Sequence, residues 1–183
     1  MRDLYHDELD EIGNSLVAMT YLAGTAMERA TNALLDGDLN GAERVVSDDT
    51  AIDALRADLE GRTFALLSLQ QPVATDLRVL VTTLHLVADL ERMGDLALHV
   101  AKVARMRYPD IAVPAEMRDV ISQMGQVALS LVNKVADVIK GRDVQLANAI
   151  EAEDDSMDAL HRKLFTLLLS DNMGSARPPR SRA

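Results

Sequence analysis

Apolar and small residues recur along the N-terminal stretch at alternating steps of three and four: Leu9, Ile12, Leu16, Met19, Ala23, Ala26, Ala30 and Ala33. That spacing keeps one stripe on one side of a 3.6-residue helix and predicts a packed helix over about 3–35. Gly37 supplies a left-handed stop, and Asp38 an N-cap for a second helix whose stripe is Ile52, Leu55, Leu59 and Leu66. The segment "QQPVAT" breaks it at Pro72, so the two helices turn back on each other. A third helix is expected from about Ala74 to Arg107, ended by a connection between Pro109 and Pro114. A fourth follows from Ala115, with Met117, Ile121, Met124, Ala128, Leu131, Val135 and Val138 as its seam. Gly141 and Asp143 repeat the Gly37 and Asp38 punctuation, and a fifth helix runs to about Ser170. No stretch alternates at period two, so the fold class is all-α, an antiparallel helical bundle.

The chain also resembles itself. Shifted by 105 residues, "DLNGAERVVSDDTAIDALRADLE" faces "DVQLANAIEAEDDSMDALHRKLF" without a gap. Asp49 then meets Asp154, Asp53 meets Asp158, and Leu55 meets Leu160. Matching acids as well as seam residues is more than shared heptad character requires, so tandem three-helix repeats are expected. The first spans 1–110, and 111–172 carries two helices of the second, leaving that repeat incomplete. The image of Pro72 falls in "MGSARPPRSRA", a Pro- and Arg-rich tail over 173–183 that is expected to be disordered. Helices 4 and 5 thus lack the third helix that covers helices 1 and 2. Their apolar face is expected to be locally disordered or covered by another molecule, which makes a homodimer or higher oligomer the natural assembly.

Composition narrows the function. A net charge of -10 with 3% aromatic residues speaks against a nucleic-acid surface and for cations or basic partner surfaces. The absence of cysteine excludes disulfides, thiolate metal sites and cysteine nucleophiles. The charged start "MRDLYHDELDEI" lacks the apolar run of a secretory signal, and no stretch reaches the ~18 apolar residues of a membrane span. A cytoplasmic protein is expected, meeting a membrane only through partners. No glycine-rich phosphate loop or nucleophile motif is present, so covalent catalysis has nothing to run on, and the chain is read as a non-enzyme.

The candidate chemistry lies in carboxylates. Asp49 and Asp53 form one i, i+4 pair on helix 2, and Glu91 and Asp95 another on helix 3. Both pairs lie about 19 residues, or ~28 Å at 1.5 Å per residue, from the Pro72 break, so antiparallel helices bring them to one level. Four converging acids repel unless solvated, protonated or neutralised, and a metal ion resolves the conflict. An oxygen donor set suits Mg, Ca, Mn or iron, while imidazole from His99 shifts the preference toward iron, zinc or nickel. Asp154 and Asp158 repeat the first pair but have no facing acids in the chain. The competing reading is a solvated acidic face, common in a helical chain with 29 acids. His6 and His161 follow aspartates at i, i+3 and read as salt-bridged surface groups. Asp76 and Arg78, beside the break, suit helix capping or a partner-facing turn.

These segments, "QQPVATDLRVL", "DLERMGD", "DDTAID" and "EDDSMD" on a tandem three-helix plan, resemble the PhoU family, the phosphate-specific transport system accessory proteins, including its actinobacterial PhoY-like members. The resemblance covers residues 1 to about 172 and implies a six-helix bundle, of which the sixth helix is missing here. It further implies E/D-x-x-x-D motifs that bind metal clusters, usually iron or zinc, with Glu91 and Asp95 matching the motif and Asp49 and Asp53 the facing acids. Such proteins are negative regulators of phosphate-starvation signalling, linking the phosphate ABC transporter ATPase to a sensor histidine kinase. Two other classes stay open on the residues alone. A ferritin-like di-metal oxidoreductase would use the same carboxylates, and a histidine phosphotransfer module would use His85 or His99.

Overall fold

The computed structural model describes residues 2–70 and 72–175. Five helices follow one another: α1 Arg2–Asp36, α2 Leu39–Gln70, α3 Ala74–Arg107, α4 Ala115–Gly141 and α5 Val144–Ser175. The described residues contain no strand. α5 runs to Ser175, past the end expected from the apolar pattern and three residues into the segment read as a tail. The remainder of that tail, 176–183, lies outside the described residues.

α1, α2 and α3 pack mutually, α4 packs on α1, and α5 packs on α4. The main core sits inside the first three helices, where Ile12, Met19, Ile52, Leu59, Leu80, Val87 and Leu90 are almost wholly buried. Toward the other end the seam becomes alanine, with Ala30, Ala33, Ala42, Ala97 and Ala101 closing the helices tightly together. The stripe read from α1 is the buried one, with Leu9 and Ala26 at its partly covered margins.

α4 departs from the expected seam. Its buried residues are Met117, Val120, Val132 and Ala136, facing α1, while Ile121, Met124, Ala128, Leu131, Val135 and Val138 are half-buried. The reason is that α4 lies between two helices. One stripe is sealed against α1, and the more regular stripe is only partly covered by α5. Beyond it Phe165, Leu168 and Leu169 of α5 stand exposed.

The internal repeat has a three-dimensional counterpart. Arg29 pairs with Asp48 at 2.9 Å across α1 and α2, and shifting both by 105 residues lands on Lys134 and Glu153, which pair across α4 and α5. The turns match too. Gly37 takes a left-handed φ of 66° and Arg142, its image, 51°. Asp143 then caps α5, its Oδ1 accepting from the N–H groups of Gln145 at 2.9 Å and Leu146 at 3.1 Å.

Candidate metal centre

The acids of α2 and α3 are positioned by the apolar residues between them. Ile52, 3% exposed, drives into α3 at the level of Gly94. A Cβ on residue 94 would lie 2.8 Å from Ile52 Cδ1 and 3.4 Å from its Cγ2, so the glycine is what lets the helices approach here. That same position is 3.8 Å from Asp49 Oδ1, which sets the Asp49 carboxylate against α3 beside Asp95.

Asp49 is half-buried, whereas Asp53 and Asp95 are exposed. Burial pushes the Asp49 carboxyl above its ordinary range, the charges of Asp53 and Asp95 push it further, and Lys102 opposes them. Acids of both helices therefore act on one carboxylate, and local positive charge falls short of what they need. The half-buried Glu91 faces another way: its Oε1 lies 3.9 Å from Arg56 Nε. Arg56 also reaches Glu60 at 3.5 Å, and its Nε is buried without a hydrogen-bond partner. As the side chains are placed, no three acids or histidines among the described residues stand close enough to share one ion. Asp53 and Asp95 both act on Asp49, so acids of α2 and α3 share one neighbourhood, with Glu91 turned toward Arg56 at its edge. All-carboxylate oxygens suit a hard or borderline cation, and the uncompensated charge on Asp49 is what a cation would satisfy.

The raised Asp49 has a measurable consequence. An acid whose folded pKa lies above its unfolded value opposes folding when ionised, and the opposition fades as pH falls through the folded value. Asp49→Asn should therefore raise the melting temperature of the metal-free protein at pH 7, with the gain shrinking toward pH 4. Thermal melts in chelator at both pH values check this; equal melting of the two proteins at pH 7 would contradict it.

The remaining candidates are spread out. His99 is exposed on α3, one turn past Asp95, and His85 is exposed nearer the start of that helix. Asp154 and Asp158 are exposed on α5, with Asp158 held 3.7 Å from Arg162 and no facing acid pair among the described residues. His161 stacks edge-on against Phe165 at 4.9 Å instead of pairing with an acid, and His6 meets Tyr5 edge-on at 5.7 Å. Asp76 is half-buried in the first turn of α3 and acts on Tyr5, whereas Arg78 is exposed. Three residues of the centre escaped the sequence reading: Gly94, Arg56 and Lys102. Gly94 was signalled by a glycine inside an apolar-periodic helix, and Arg56 by its place two turns after Asp49 on the acid stripe.

Residues 16–104 and 121–182 match the model of the PhoU domain. The chain belongs to the PhoU family. It is 50% identical over 169 residues to phosphate-specific transport system accessory protein PhoU homolog 2 of Mycobacterium tuberculosis, covering 92% of this chain and 79% of that relative. It is 47% identical to homolog 1 of Mycobacterium leprae, covering 92% and 76%. Its fold superposes on the crystal structure of PhoU from Pseudomonas aeruginosa with a TM-score of 0.84 at 26% identity, over 93% of this chain and 81% of that one. The phosphate transport system regulatory protein PhoU from Streptococcus pneumoniae gives 0.81 at 25%, over 91% and 77%. Family and all-helical bundle, both expected from the motifs, are thereby borne out.

Proposed function

We propose that this chain is a cytoplasmic accessory regulator of phosphate uptake that binds metal between α2 and α3 and restrains phosphate-starvation signalling. The observation that carries the transport role is the family membership, with relatives at 50% identity that are named as accessory proteins of phosphate-specific transport. In this reading the chain contacts the phosphate transporter's ATPase and a sensor histidine kinase, holding kinase output down when phosphate is plentiful. The acidic surface suits basic faces on such partners. No helix among the described residues is long and apolar enough to cross a membrane, so contact with one would pass through partners. The exposed Phe165, Leu168 and Leu169 on α5 favour a homodimer or higher oligomer.

Asp49, Asp53, Glu91 and Asp95 would hold the metal, iron or zinc in the first instance and magnesium, manganese or calcium in their absence. Bound there, the ion supplies positive charge that ties α2 to α3 at the level of Gly94. The Glu91→Ala, Asp95→Ala double variant is expected to lose bound metal by elemental analysis while far-UV circular dichroism stays close to the parent, because both residues lie outside the buried core. Unchanged metal content would count against the assignment. The partner reading is tested separately by pull-down with the kinase's cytoplasmic core and with the transporter ATPase, and binding to neither would end it.

A further inference from the structure

A groove of about 540 Å3 opens between the N-terminal half of α1, the N-terminal half of α3 and the last turns of α4. Leu9, Ile12, Leu16, Leu86 and Ile139 contribute its apolar walls, and Val79, 43% exposed, keeps part of that wall in contact with water. Its charged residues are Arg78 and Arg142, and no acid lines it among the described residues, although the chain as a whole carries -10. Among the described residues Arg78 makes no ion pair or hydrogen bond. Arg142 reaches Asp10 at 3.3 Å with 82% of its side chain exposed, so most of its donor capacity is unspent. A contiguous cavity of about 310 Å3 shares Gly13, Ile139 and Arg142 and adds Lys140 alongside Asp10.

Gly13 lies on the α1 wall of the groove, where it leaves the space unfilled. An interior helical glycine is destabilising relative to alanine, so its presence calls for a reason. Gly24, Gly94 and Gly125 have one, since a Cβ there would come within 3.0 Å of a neighbouring helix's side chain. At half-buried Gly13 a Cβ would meet nothing within 4 Å, and the residue lines both cavities. Packing does not require glycine at 13, and the open space beside it belongs to the groove.

The size falls within the ~300–1,000 Å3 of small-molecule sites. An alkyl chain can be largely enclosed by a groove of this size, whereas a helix ~10–12 Å across could lay only one face on it. Apolar walls with two arginines on the lining, and Asp10 at the edge partly spending one of them, call for a hydrocarbon body and an anionic head. We propose that this groove binds a free single-chain amphipathic anion of the fatty-carboxylate class, its chain between α1 and α3 and its head at Arg78 and Arg142.

The test is calorimetric titration of the full chain with dodecanoate below its micelle concentration. One site per chain is expected, weakened at least ~10-fold by Gly13→Leu, which fills part of the groove from a position where a Cβ meets nothing within 4 Å, and about 10-fold by Arg78→Glu, an exposed position that leaves the fold alone. Dodecyltrimethylammonium, with the same tail and opposite charge, should bind at least ~10-fold more weakly than dodecanoate. Failure of dodecanoate to bind, equal binding of the cationic amphiphile, affinity untouched by both substitutions, or binding confined to phosphatidylglycerol vesicles would each overturn the proposal.

Discussion

Leu59→Ala is expected to lower the unfolding free energy by ~2–5 kcal/mol, the range for emptying a fully buried leucine site. Leu59 is 0% exposed and belongs to the cluster that joins α2 to α1 and α3, so its neighbours come from three helices and cannot all collapse into the space. The same substitution at Leu69, 77% exposed near the end of α2, should stay within ~0.5 kcal/mol. Urea unfolding followed by circular dichroism distinguishes the two. Similar midpoints for both variants would mean that the core is not where this packing places it.

The second large effect is on the metal. Gly94→Leu puts a branched side chain where even a Cβ sits 2.8 Å from Ile52 Cδ1; Ile52 is buried, so a side chain of that size is expected to push α2 and α3 apart. Overpacking of this kind costs ~1–3 kcal/mol, and helix propensity returns up to ~1 kcal/mol of it, so the protein should remain folded. The separation of Asp49 from Asp95 has no such compensation, and metal affinity should fall ~10–100-fold, as when a supporting shell is removed. Gly61→Leu is the control, because a Cβ there meets nothing within 4 Å. Equal metal binding by the Gly94 and Gly61 variants would show that helix approach does not govern the site.

What the sequence made legible follows from which forces are periodic. The α1 stripe and the Ile52, Leu59 and Leu66 series could be read directly, because burial on one face imposes a 3.6-residue rhythm. The repeat was legible for the same reason, and the Arg29–Asp48 and Lys134–Glu153 pairs show that it extends to ion pairs between helices. α4 was misread because a helix packed on two sides carries two stripes, and the more regular one faces the thinner cover. At the site, i, i+4 spacing located Asp49, Asp53, Glu91 and Asp95, but spacing says nothing about rotamers. Arg56 beside Glu91 is a non-local contact, and neither it nor the cavity kept open at Gly13 leaves a periodic signal.

Whether carboxylates of α2 and α3 share a cation is decided by anomalous diffraction from crystals soaked in iron or zinc. A peak is expected between Asp49, Asp53, Glu91 and Asp95, with carboxylate oxygens of both helices at roughly 2.0–2.2 Å from a zinc ion. A peak elsewhere, or one touching acids of a single helix, would contradict a shared cation.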